Sequence, residues 1–316
     1  MKLGHVLLAT DFSFPAQRAE DYACFFAARR HARLTVLSVL EFAAGMDPAY
    51  PVNHQYLTER MREASVLLTE LKQRIARRGI SASTKIETGL PSEAIVAAAL
   101  AEGADLIVLG TSGRSGLAHV LLGSTAERVI SRAPCPVLAV RPVGGGRSAV
   151  PAEIMLKRIL VPIDFFDCSL DAVEYAAQVA KDSGAAIKLL HVMEPVSYGL
   201  DFTLGDAASL ARTRERLLRR LEELTAALVA AGISTTNLIR GGVPRDAILE
   251  ESRQWASDLI VMGTHGRRGI SHFFNGSVAE AVLRRADCPV LAIRSPKFHP
   301  DHRRLTPVPV QQSSDR

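Results

Sequence analysis

Four stretches of this 316-residue chain recur 153 positions further on, and no other feature restricts the fold as strongly. HVLLATDFS at 5–13 returns as RILVPIDFF at 158–166, and LSVLE at 37–41 returns as LHVME at 190–194. ADLIVLGTSG at 104–113 returns as SDLIVMGTHG at 257–266, and APCPVLAVRP at 133–142 as ADCPVLAIRS at 286–295. The offset never changes, so no net insertion separates the copies. Solenoid repeats run to roughly 20–50 residues. A period this long is a whole domain written twice.

Each copy alternates strand and helix patterns. In the second copy, 158–163, 186–192, 234–239, 258–263 and 289–293 read as short strands rich in Val, Ile and Leu. Helices are expected at 169–183, 207–231, 245–255 and 277–285. Gly184 and Gly232 follow two of them as C-terminal caps. Pro244 opens a third, where its missing N–H has no intrahelical acceptor to lose. This alternation predicts an α/β protein of two tandem doubly wound domains, each a five-stranded parallel sheet flanked by helices. The expected boundaries are 1–142 for the first domain, 143–155 for a linker, 156–295 for the second domain and 296–316 for a disordered tail. Gly and Pro dominate the linker, and Pro, Ser, Gln and charge dominate the tail. In such sheets a ligand sits beyond the carboxyl ends of the strands, where the strand order reverses.

Composition narrows the function classes. No apolar run approaches the roughly 18–20 residues of a membrane span. The opening MKLGHVLLATDFSFP reads as a first strand rather than a secretory signal, and the cytoplasm is the expected location. Cys24, Cys135, Cys168 and Cys288 form no C-x-x-C pair and are expected to be buried thiols in a reducing compartment. The net charge is +5, but the basic residues do not form one block. Arg212, Arg214, Arg216, Arg219 and Arg220, for example, alternate with Glu and Leu in a helical stretch. No nucleic-acid-binding motif is present, so nucleic acid is not expected as a partner.

The chemistry gathers after the fourth strand of each copy, in GTSGRSGLAHVLLGS at 110–124 and GTHGRRGISHFFNGS at 263–277. Glycine permits positive φ and close approach of a ligand to the backbone. A helix then starts, and its first-turn N–H groups and dipole favour an anion. Ser277 is placed to cap that helix or to offer a hydroxyl. The spacing G-x₂-G-x₉-G-[ST] is neither a Walker A loop nor the dinucleotide fingerprint. It reads as a phosphate cradle, present twice.

The first-strand Asp11 and Asp164, the paired glycine loops and the CPVLA strands together resemble the universal stress proteins of the UspA superfamily. The resemblance covers about residues 3–142 and 156–295. It implies a Rossmann-like, adenine nucleotide alpha hydrolase-like fold and, where the loops are intact, ATP with magnesium as a companion ion. Carried over by position, the first site comprises Asp11, Val39, Gly110, Gly113, Gly123, Ser124 and Thr125. The second comprises Pro162, Asp164, Val192, Gly263, Gly266, Gly276, Ser277 and Val278. The Asp and Val positions would meet adenine, and the glycine loops would meet ribose and phosphates. Ala9 stands where the second copy has Pro162, and Ser13 has no hydroxyl counterpart at Phe166. The resemblance also implies that CPVLA strands pair edge to edge, so that the two domains pair within one chain. A homodimer of chains stays open.

Arg114, Arg267 and Arg268 lie within the loops and could pair with phosphate oxygens. His119, His265 and His272 lack a neighbouring carboxylate or second His and are not assigned catalysis or a metal. No Walker-type Lys or acid–base pair stands out, so no catalytic residue is assigned and at most slow ATP hydrolysis is expected. The expected function is that of an ATP-binding stress-response regulator or nucleotide-dependent switch. A slow ATP hydrolase and a nucleotide-free dimerisation scaffold are the alternatives.

Overall fold

The computed structural model describes residues 3–41, 51–111, 122–141, 154–194, 207–264, 278–294 and 305. Along the chain these form β1 His5–Ala9, α1 Phe14–Arg30, β2 Arg33–Leu40, α2 Pro51–Arg77, β3 Ala82–Thr88, α3 Pro91–Ala101, β4 Leu106–Gly110, α4 Ser124–Arg132 and β5 Val137–Val140. The second repeat supplies β6 Arg158–Pro162, α5 Asp167–Ser183, β7 Ala186–Met193, α6 Ala207–Ala230, β8 Thr235–Gly241, α7 Pro244–Gln254, β9 Leu259–Gly263, α8 Val278–Arg285 and β10 Val290–Ile293. Two compact units result. Unit 1 is Met1–Ile154 with Asp287–Arg294, and unit 2 is Met155–Ala286 with Ser295–Arg316.

In unit 1 the first five strands lie parallel in the order β3-β2-β1-β4-β5. The order reverses between β1 and β4. β1 and β5 are buried along their whole length, as are the first four residues of β4, because helices cover both sheet faces. Right-handed crossovers put α1 and α2 on one face and α3 and α4 on the other. Arg74 of α2 and Arg78 just beyond its end tie to Glu20 and Asp21 of α1, each at 2.8 Å. β10, from the second repeat, also belongs to this unit and runs antiparallel to β5. Leu291 faces Leu138, Val290 faces Ala139 and Ala292 faces Val137. Leu138 and Leu291 occupy the same repeat position and their neighbours exchange partners, so the pairing is self-complementary.

Unit 2 holds β6–β9, parallel in the order β9-β6-β7-β8. The doubly wound α/β class expected from the sequence is the one found. Gly184 caps α5 at φ +74°, as expected, and its N–H donates to the Ala180 carbonyl at 2.8 Å. Its counterpart in unit 1 is His31, held at φ +49°. Leu305 lies against α5, donating its N–H to the Glu174 carboxylate at 2.8 Å.

The amino ends of the strands share one device and differ in another. Asp105 accepts the N–H groups of Gly4 and His5 at 2.7 and 3.0 Å, and Asp258 accepts those of Lys157 and Arg158, both at 2.9 Å. Beside Asp105, buried His5 meets Thr35 through Nε2 at 2.9 Å, and the Arg33 guanidinium lies 2.9 Å from its Nδ1. Thr35 donates to Glu102 at 3.0 Å. Burial holds the His5 imidazole below its ordinary pKa, against the opposing pull of the Glu102 backbone hydrogen bond. Burial opposes ionisation of Glu102, but hydrogen bonds from Thr35 and Lys85 outweigh it and hold the carboxyl below its usual range. In unit 2, Lys188 replaces Thr35 and Trp255 replaces Glu102. The Lys188 ammonium lies 4.6 Å from the centre of the Trp255 ring and 2.8 Å from Glu251, which also pairs with Arg240 at 3.3 Å.

Candidate functional site

The predicted site residues that the structure describes converge on one end of each sheet. In unit 1, Val39 lies near the carboxyl end of β2, Gly110 ends β4, and Asp11 follows β1. Gly123, Ser124 and Thr125 form the start of α4. In unit 2, Pro162 ends β6, Asp164 follows it, Val192 lies near the end of β7, Gly263 ends β9 and Val278 opens α8. Gly113, Gly266, Gly276 and Ser277 lie outside the described residues, as do Arg114, Arg267, Arg268, His119, His265 and His272.

The turn after the first strand is built from its own polar groups. Thr10 Oγ1 accepts the Phe12 N–H at 3.0 Å, and Asp11 Oδ1 accepts the Ser13 N–H at 3.0 Å and the Ser13 hydroxyl. Unit 2 makes the same turn with other residues. Asp164 Oδ1 accepts the Phe166 N–H at 3.0 Å, while Ser169 Oγ accepts the Asp164 N–H at 3.3 Å and donates to the Phe166 carbonyl at 2.9 Å. Ser169 thus ties down a turn in which Thr10 has been replaced by Ile163. In both turns the central residue is a phenylalanine in the left-handed region, Phe12 at φ +61° and Phe165 at φ +65°. A bulky residue there costs on the order of 1–3 kcal/mol, and such strain collects at functional sites.

Gly110 and Gly263 are required for closeness rather than for positive φ. A Cβ on Gly110 would stand 3.0 Å from the Pro15 backbone, and one on Gly263 would stand 2.8 Å from the Cys168 backbone. The end of β4 or β9 therefore lies directly against the first turn of the helix that follows the Asp turn. Beyond Gly110, the Thr111 N–H donates to Val140 at 2.9 Å and the Gly123 N–H returns to the Thr111 carbonyl at 2.7 Å. The loop between them is closed at its base. α4 then begins at Ser124 with Gly123, which has no side chain to cap with, as its N-cap. The helix geometry leaves the first-turn N–H groups of 124–126 without intrahelical acceptors. Ser124 is exposed and Thr125 half-buried.

The two sites differ at the first-strand turn. Arg220 of α6 lays its guanidinium over the Phe165 ring at 4.1 Å, and the His191 ring lies 5.4 Å from the same ring. Burial lowers the Arg220 pKa, with Glu223 opposing. The corresponding residues in unit 1 are Leu67 and Ser38. Sequence reasoning missed the strained phenylalanines and Arg220. Position 220 differs between the repeats, so comparing them gave no signal.

All four cysteines are buried and none is in a disulfide; burial pushes the Cys24 thiol up to about 11. Among the described residues no group of three or more His, Cys, Asp or Glu side chains is arranged to hold a metal. No helix among them is long and apolar enough to cross a membrane.

The fold is that of a tandem doubly wound α/β protein, with the described site residues of each repeat at the carboxyl ends of its strands. A model of the universal stress protein family matches residues 2–141 and again 155–294, and the chain belongs to that family. A universal stress protein of Mycobacterium tuberculosis is 27% identical over 297 residues, covering 92% of this chain and 96% of its own. One from Methanocaldococcus jannaschii is 32% identical over 146 residues, covering 46% of this chain and 86% of its own. The crystal structure of a universal stress protein from Archaeoglobus fulgidus superposes with a TM-score of 0.68 at 26% identity, over 93% of this chain and 99% of that one.

Proposed function

We propose that this chain is an ATP-binding stress-response regulator, a switch whose partners or shape depend on nucleotide occupancy. The observation that carries the reading is the loop base closed at Thr111 and Gly123, which brings the glycine-capped first turn of α4 to the carboxyl ends of the strands. Phosphates favour such a helix start. Asp11 and Val39 stand on the adenine side in unit 1, with Pro162, Asp164 and Val192 in unit 2. The residues present fit an adenine nucleotide: oriented amides for the phosphates, a half-buried strand end for the ring and a carboxylate beside it. ATP would supply a charged ligand with magnesium as its counter-ion. The chain's residues would orient it rather than transform it. A ligand shifts a population only when it binds one state better. The same reading places the protein in the cytoplasm and pairs the two repeats through β5 and β10.

Purifying the protein without added nucleotide, denaturing it and identifying what is released tests the reading. ATP is expected at up to two molecules per chain, falling in Gly266→Val. No nucleotide in the released pool, followed by no binding on titration with ATP and magnesium, leaves the loops structural and the scaffold reading in force. Phosphate release above a buffer blank, abolished in Gly266→Val, would move the protein to the slow hydrolases.

A further inference from the structure

The two Asp turns carry the same strained residue and are held differently. A bulky side chain at positive φ, as at Phe12 and Phe165, persists only where its surroundings impose it. In unit 1 the turn uses its own groups, Thr10 accepting the Phe12 N–H and Asp11 the Ser13 N–H and hydroxyl. Phe12 itself is half-buried. In unit 2 three separate elements grip the turn. Ser169 of α5 bonds to the Asp164 N–H and to the Phe166 carbonyl. His191 of β7 donates through Nδ1 to the Ile163 carbonyl at 2.7 Å, and its ring lies 5.4 Å from that of Phe165. Arg220 of α6 covers the Phe165 ring at 4.1 Å. Phe165 is 8% exposed. Leu67 and Ser38 stand at the positions of Arg220 and His191 in unit 1 and can make neither contact.

We propose that Arg220 is a positioning residue of the second nucleotide site: by clasping Phe165 it presets the Asp164 turn, so that unit 2 takes ATP first and more tightly than unit 1. This rests on the nucleotide reading above and assigns an order to its two sites. A planar guanidinium stacks on a ring face in a way that an aliphatic side chain does not. The ring it covers belongs to the turn that carries Asp164, directly after β6, so the clasp acts on the adenine side of the site. A site whose competent turn is always formed binds at its intrinsic affinity, and one whose turn relaxes loses affinity by the fraction of time it is relaxed. The carboxylates differ in the same sense. The Ser13 hydroxyl already loads Asp11, and Phe166 offers Asp164 no such group.

Equilibrium titration of the full chain with ATP and magnesium should resolve two classes of site about tenfold apart. Asp164→Asn keeps an oxygen for the Phe166 N–H and should remove the tighter class, which Asp11→Asn should spare. Arg220→Leu, the side chain that unit 1 has there, should weaken the tighter class about fivefold, and Arg220→Lys should recover part of the loss. Adenosine should lose affinity by the same factor as ATP, because the turn serves the ring. Trp255 fluorescence shows whether unit 2 stays folded in each variant. Equal affinity at the two sites overturns the proposal, as does a tighter class that survives Asp164→Asn. So does an Arg220→Leu variant that lowers the urea midpoint of unit 2 and leaves its affinity unchanged. A loss seen with ATP and not with adenosine would put Arg220 on the phosphates, against the proposal. ATP bound by neither unit would remove the regulator reading itself, and this assignment with it.

Discussion

At the amino ends of its strands, unit 1 joins buried His5 and Thr35 to the half-buried carboxylate of Glu102. Unit 2 sets a half-buried cation, Lys188, between a ring and a carboxylate. The Asp105 and Asp258 clamps next to them are the same in both units. The backbone requirement of the fold is thus kept, while the side-chain solution beside it has diverged. At the opposite end of the sheets the Asp turns and the loop glycines stay alike. The comparison separates what the frame needs from what each repeat was free to change. It also predicts that the two units answer differently to the same disturbance.

The largest difference should come from the acids of the two clusters. Glu251 is the buried partner shared by Lys188 and Arg240; Glu251→Ala takes from the half-buried Lys188 the carboxylate it meets at 2.8 Å, while Arg240 keeps Glu250 at 3.0 Å, and should cost unit 2 about 1.5–3 kcal/mol. Glu102→Ala removes one acceptor from Thr35, which keeps His5 and Ser83, and should cost unit 1 about 0.5–1.5 kcal/mol. Urea denaturation can follow unit 2 alone, because the single tryptophan, Trp255, lies there. Equal costs would mean that the two clusters do the same work.

Next come the loop glycines. Gly263→Ala and Gly110→Ala should each cost about 1–3 kcal/mol through overpacking. The unit 2 variant should lose more, because its Cβ meets backbone at 2.8 Å rather than 3.0 Å. Thermal melts of the two variants would order them.

Acid should act on unit 1 first. His5 has a folded pKa below its unfolded value near 6.5, so the unfolded chain binds the proton more readily. The His5 contribution is complete above about pH 6.5 and is lost as pH falls through the folded pKa. The Arg33 charge disfavours the imidazolium, and Glu102 and Asp105 favour it. Glu102, with its own depressed pKa, adds a second loss of stability as pH falls below the ordinary carboxylate range. Native-state exchange of unit 1 between pH 7 and 5.5 should show the slope, and His5→Gln should flatten it. A slope unchanged in His5→Gln would locate the acid response elsewhere.

The smallest effects are reciprocal. His31 at φ +49° stands where unit 2 has Gly184, and Ala256 at φ +48° stands where unit 1 has Gly103. His31→Gly should stabilise unit 1 and Ala256→Gly should stabilise unit 2, each by about 1 kcal/mol, since L residues resist this backbone region. Paired melts of the two variants would test whether each gain stays in its own unit.

Much of this was legible in the chain itself. The constant 153-residue offset gave the duplication, and short Val/Ile/Leu runs gave the parallel strands. Gly184, Gly232 and Pro244 marked helix ends because their backbone chemistry is local. The positions of Gly110 and Gly263 were found, but the reason was not. Close strand–helix approach depends on Pro15 and Cys168, which no spacing rule ties to those glycines. Phenylalanine carries no mark of a left-handed turn, so nothing in the sequence singled out Phe12 and Phe165. The Lys188–Arg240–Glu251 cluster joins three elements, β7, β8 and α7, and only the folded chain brings them together. Leu305 meets Glu174 across 131 positions, a pairing that local pattern does not encode.

The pairing of β10 with β5 has a consequence for biosynthesis. Val140 closes the fifth strand of the first repeat, and Ile293, its repeat equivalent, is made 153 residues later. At about 5–20 residues per second, the outer edge of β5 waits roughly 8–30 s for its cover. A nascent chain at that stage carries a complete first sheet with one open, apolar border. A ribosome that stalls or a message cut short before codon 290 releases a molecule whose finished half ends in an adhesive strand.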